Sequence, residues 1–208
     1  QRLRSAYERA AFIMNLIAGF FCTLFFVCAD DFISLVFGSN FVLDHFSVFV
    51  LSLNMLVYLL NIPMISIQNA MGLHRYDSNY MVLQAILAIF GGYILGKLYG
   101  MPGIFMGLLI PLILFTLIRK GVVIGRIAMD IPKTTYLSSI AYDIFKIIFS
   151  MAGAWLICEN LFVEKTWCTL VLRFIIGFCF CVLCSYLFNM KSKHFGFFFE
   201  KLIYCIKK

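Results

Sequence analysis

The sequence predicts an all-α polytopic membrane protein of six transmembrane helices. Three observations carry that prediction. The 208 residues are 63% hydrophobic and only 13% charged, about half the charge of a soluble domain. The mean hydropathy is +0.98. The apolar residues fall in runs that approach or exceed the roughly 20 residues needed to cross a bilayer as a helix. A β-barrel would show alternating patterns of about 10 residues, and none is present.

The spans are read in order as Ala11–Ala29, Phe46–Ala70, Tyr80–Gly96, Gly103–Ile118, Ile140–Cys158 and Trp167–Met190. The basic "QRLRSAYER" before the first span lacks the order of charged segment, apolar segment and small-residue cleavage site that marks a signal peptide. Because the first residue is Gln and not Met, the chain is expected to be a piece of a longer protein. "DDFISLVFGSNF" after the first span reads as a short interfacial helix ended by Gly38. Residues 1–190 form one unit. The basic, aromatic tail of residues 191–208 reads as a surface anchor.

Lys and Arg set the orientation. Of 17, thirteen fall on one side: Arg2, Arg4, Arg9, Arg75, Arg119, Lys120, Arg126, Lys133 and five in the tail. Lys97 and Lys165 fall on the other side, and Lys146 and Arg173 lie within spans. Both termini are therefore expected in the cytoplasm. The formal charge of +7 meets anionic lipid there, and nucleic acid is not needed to explain it.

The second span carries Asn54, Tyr58, Asn61 and Gln68 on one helical face. From Asn54 to Gln68 is roughly 21 Å at about 1.5 Å per residue. A carboxamide facing lipid costs several kcal/mol, so the stripe must face protein or water. It serves either interhelical hydrogen bonds or a water-accessible, sugar-compatible wall. Pro63 and Pro111 each remove an amide donor and are expected to kink the second and fourth spans. Ala88, Gly92 and Gly96 repeat every four residues, as do Gly103 and Gly107, a pattern for close helix approach.

Ionisable groups inside spans are functional candidates. Arg173 either snorkels outward or faces an anionic substrate. Asp143 and Lys146, three apart, can pair with each other. The eight cysteines lie mostly in apolar runs and behave as small hydrophobes. Cys181 and Cys184 lack the partners of a metal site, and Cys158 and Cys168 could pair across one short loop. No metal, cofactor or catalytic residue is expected. The three histidines are scattered, and no nucleophile elbow or phosphate loop is present, so the chain does not read as an enzyme. Asp44–His45 and His74–Arg75–Tyr76–Asp77 read as polar helix ends.

The order of features over residues 1–150 resembles the C-terminal half of polysaccharide biosynthesis and export proteins. These are the lipid-linked oligosaccharide flippases of bacterial inner membranes, in the superfamily of multidrug and toxin extruders. The resemblance rests on Phe37–Gly38 after the first span, Ala70–Gly72 with Arg75 at the second turn, and Gly100–Gly103 entering the fourth span. It implies one six-helix lobe of a two-lobe transporter whose partner is a missing N-terminal lobe. It implies an oligosaccharide on a polyprenyl diphosphate as substrate, with polysaccharide polymerase machinery as a further partner. Asn15 and Gly19 of the first span would join the second-span stripe at the cavity. A cation-coupled small-molecule extruder of the same superfamily is the alternative. A membrane glycan polymerase or acyltransferase is disfavoured by outer loops that are short and poor in acids, bases and histidine.

Overall fold

The computed structural model describes residues 2–161 and 166–189. Every regular element among them is helical: α1 (Arg2–Val36), α2 (His45–Ala70), α3 (Ser78–Tyr99), α4 (Met101–Pro111), a π-helical segment (Leu112–Lys120), α5 (Gly121–Met129), α6 (Lys133–Leu161) and α7 (Trp167–Asn189). Short 3-10 turns follow α1 (Ser39–Phe41) and α2 (Leu73–Tyr76). Residues Met101–Met129 run as one rod, so six helices are long and apolar enough to cross a membrane. The predicted tail lies outside the described residues.

Two boundaries differ from the sequence reading. The "DDFISLVF" segment is not a separate flat helix. It continues α1, which is 35 residues long and ends where Gly38 adopts φ 98°. The reason is polar: Asp30 and Asp31 are buried against other helices and hold the chain in the bundle. The stretch left between the fourth and fifth predicted spans, 119–139, is mostly helix, and only Asp130–Pro132 lies between α5 and α6.

α1 is the central element, packed on α2, α6 and α7. Its buried face starts at Asn15, Ala18, Gly19 and Cys22 and ends at Asp31. α2 starts at Asp44, whose carboxylate accepts from the Ser47 amide at 3.1 Å, a side-chain N-cap. It then runs unbroken through Pro63, which is buried. The predicted kink at Pro111 takes another form. The helix does not stop there, but continues as nine residues of π-helix before returning to α. Gly121, just past this segment, leaves the space that the Tyr136 ring fills, and the Tyr136 hydroxyl donates to the Leu117 carbonyl at 3.0 Å.

α3 and α4 form the peripheral hairpin. Gly100, with φ 69°, makes the turn between them. No α3 side chain is buried, so the hairpin is held by close backbone approach. A methyl on Gly103 would overlap the Leu95 carbonyl, and one on Gly107 would overlap the Gly92 backbone. That is the physical use of the small residues noted in the sequence. Gln84 of α3 also accepts from the Thr116 hydroxyl at 2.9 Å.

Candidate functional site

Successive helices alternate direction, so the bundle has two ends. One carries the start of α1, the Met71–Asp77 turn and the Asp130–Pro132 turn. At this N-terminal end lies a cavity of about 490 Å³ between α1, α6 and the end of α7. Its α1 wall is Arg4, Tyr7, Glu8, Ala11, Phe12 and Asn15, a helical face with spacings of three and four. α6 contributes Ser139, Tyr142, Asp143 and Lys146, and α7 contributes Phe188 and Asn189.

The charges in this cavity are paired. Arg4 meets Glu8 at 3.0 Å, and Lys146 meets Asp143 at 2.8 Å. Lys146 is buried, and its ammonium also donates to Asn189 Oδ1 at 3.4 Å and lies 4.9 Å from the centre of the Tyr142 ring. The remaining polar lining is carboxamide, phenol and hydroxyl. Such a surface binds uncharged, hydroxyl-bearing groups through hydrogen bonds and ring stacking, at a size within the usual range for ligand pockets.

Of the predicted site residues, Asn15 and Lys146 line this cavity. The second-span stripe does not. Asn54 donates to the Val50 carbonyl at 3.0 Å and to the Phe105 carbonyl of α4 at 3.2 Å, tying α2 to α4. Asn61 is buried, with neither carboxamide atom hydrogen-bonded. Gln68 Nε2 donates to Asp77 Oδ2 at 3.4 Å. Tyr58 lies on the same face but is exposed. The three carboxamides are thus taken into helix packing, because α2 has neighbours on that side. Pro63 and Pro111 are both buried, away from the cavity lining.

Arg173 is at the opposite end of the bundle and does not snorkel. It is buried, with Nε 3.0 Å from Asp31 of α1 and Nη1 3.3 Å from Glu159 of α6. Beside it, His45 of α2 lies 2.8 Å from Asp30 of α1, forming an ion pair when the imidazole is protonated. These groups, with Phe26 and Trp155, surround a small cavity of about 90 Å³. Cys158, near this end, and Cys168 are both free thiols.

Two polar centres escaped the sequence reading. One is this Arg173 cluster. The other is Asp77, which is buried and meets Lys120 at 2.7 Å and Arg119 at 3.2 Å. Arg119 also donates to the Tyr76 carbonyl at 2.8 Å and stacks on the Tyr80 ring. A signal for both was available. Asp30–Asp31 and Arg173 fall near one end of the predicted spans, and Asp77 and Arg119–Lys120 near the other, so each acid had a base at its own end of the bundle.

Of the motif glycines, Gly38, Gly72 and Gly100 have positive φ and make helix-end turns, the glycines that do so among the described residues, whereas Gly103 lies in α4 against the Leu95 carbonyl. Comparison of the chain with protein-family models, with curated proteins and with solved structures gives no match in any of the three.

Proposed function

We propose that the chain is a transport lobe of a membrane carrier for lipid-linked oligosaccharide, with the cavity at its N-terminal end receiving the polar head group. The observation that carries this reading is the cavity itself. It is roomy, its charges are neutralised in pairs, and it is lined by the carboxamides, phenols and hydroxyls that suit a sugar. The motif order over residues 1–150 supports the same class. By the distribution of Lys and Arg, this mouth would face the cytoplasm, and the motif resemblance points to a bacterial inner membrane. The lipid tail would stay in the bilayer while a partner lobe completes the passage. The diphosphate is not assigned to Lys146 or Arg173, since each already faces carboxylates.

The test is Asn15→Ala, Tyr142→Ala and Asn189→Ala, singly and together, in the full-length protein. The triple variant should lower surface polysaccharide about tenfold or more, the size expected for two or three lost hydrogen bonds, with protein level unchanged. Normal export in the triple variant would sink the cavity role. The second reading, a cation-coupled small-molecule extruder, is favoured by the buried carboxylates Asp30 and Asp31. Drug-susceptibility assays beside glycan complementation separate the two.

A further inference from the structure

The three helices that wall the large cavity are also the three that meet at Arg173. At the N-terminal end α1, α6 and α7 stand apart around about 490 Å³. At the other end one guanidinium on α7 reaches Asp31 on α1 at 3.0 Å and Glu159 on α6 at 3.3 Å. The His45–Asp30 contact at 2.8 Å ties α2 to the same place.

The seam between these two ends is closed by small or polar groups. Gly19 of α1 lies against Ile147 and Cys181, leaving room for a methyl at 3.6 Å and 4.0 Å. The Thr23 hydroxyl meets the Ser150 hydroxyl only at 3.4 Å. A second, narrow cavity of about 20 Å³ continues from the first, sharing Asn15, Lys146, Phe188 and Asn189 with it and reaching Ser150, Cys181 and Cys184. Beyond it Gly177 follows Arg173 by one helical turn on the buried face of α7. The interhelical contact through this stretch therefore rests on van der Waals packing, the long Thr23–Ser150 hydroxyl bond and thiol contacts of Cys181 with Thr23 and Ser150, each individually weak in a bilayer. The strongest single tie across it is the Arg173 cluster, in which Arg173, Asp31 and Asp30 are buried while Glu159 and His45 reach the surface.

We propose that Arg173 is a strap that holds the α1–α6–α7 seam shut at the end opposite the cavity mouth, and that its release opens the seam there. The structure is then the state with the N-terminal mouth open and the opposite mouth strapped. The strap is bistable for a plain reason. Its carboxylates and guanidinium are stable either bonded to each other or hydrated, and less stable in between. This inference borrows from the transporter reading only the purpose of the passage. Its test is conformational and independent of export.

Cys181 lies in the seam, is buried, and reports directly on opening. In full-length protein with Cys181 as its sole cysteine, a membrane-impermeant maleimide is added to sealed vesicles on the face that carries Gly38. Unaltered Arg173 should leave Cys181 slow to react. Arg173→Met, which keeps the bulk and removes the strap, should raise the rate about tenfold or more, as expected when a local opening becomes cheaper. Arg173→Lys, which keeps the charge, should stay much nearer the unaltered rate. A control thiol from Val57→Cys, in the α2 core away from the seam, should remain protected throughout. The proposal is overturned if Arg173→Met leaves the Cys181 rate unchanged, if Arg173→Lys opens the seam equally, or if the control thiol reacts as well, since that would mean general loss of packing.

Discussion

Asn61 sits in the middle of α2 with 1% of its surface exposed and both ends of its carboxamide without a hydrogen bond. A buried amide in that condition costs about 1–3 kcal/mol. Asn61→Leu has similar volume and no polar atoms, so it should raise the melting temperature in detergent, read by a thermal shift assay. A fall would mean the carboxamide has a partner, such as a buried water. Asn54 and Gln68 behave differently, since each has a donor contact to another segment. Asp44 is polar chemistry of a third kind. Bonds from the Ser47 hydroxyl and amide hold its carboxyl below the usual value of 3.8. A lowered folded-state value means the cap stabilises above the unfolded value and is lost as pH falls through the folded one. Asp44→Ala should therefore cost about 1 kcal/mol at neutral pH. The difference from the parent should vanish in melts well below pH 4, where the carboxyl is neutral in both states. The shared helical face of the α2 carboxamides was legible in the sequence, because a 3.6-residue period fixes it. Which of them would find a partner was not, because the partners lie 51 and 9 residues away in other elements.

At the scale of the element, the α3–α4 hairpin shows how a helix with no buried side chain stays attached. Lipid is as apolar as the side chains, so burial against α4 gains little, and backbone proximity supplies the attraction. Gly107 and Gly103 make that approach possible. Gly107→Leu should wedge the hairpin apart at a cost of about 1–3 kcal/mol. The expected readout is faster proteolysis near the Gly100 turn, with α1 and α2 remaining protected. Equal protection would mean the hairpin tolerates a wider spacing. The rod from Met101 to Met129 shows the opposite limit of sequence reading. The expectation at Pro111 was a kink; in the structure nine residues of π-helix follow it and the helix then returns to α. A proline removes one donor; whether the chain then breaks, bends or rewinds depends on what covers the freed carbonyls. The carbonyl that Pro111 frees is that of Gly107, four residues back; the Leu117 carbonyl, further along the π segment, accepts from the Tyr136 hydroxyl of α6.

For the whole molecule, the arrangement is six membrane-length helices with a polar cavity at one end and an ionic cluster at the other. If the N-terminal end faces the cytoplasm, single cysteines in the Met71–Asp77 turn should react with impermeant maleimide only after the inner face is exposed. Cysteines near Gly38 should react in intact cells. The reverse pattern would overturn the orientation and, with it, the direction of the proposed passage.

The helical class, the six membrane-length helices and the shared face of the α2 carboxamides follow from composition and period alone, since both are local properties of the chain. The cavity and the two buried ion clusters are of another kind. Asp31 meets Arg173 across 142 positions, and Lys146 meets Asn189 across 43. No local pattern encodes such a meeting. It exists only once α1, α6 and α7 are packed side by side, and that packing turns a set of expensive buried charges into paired ones.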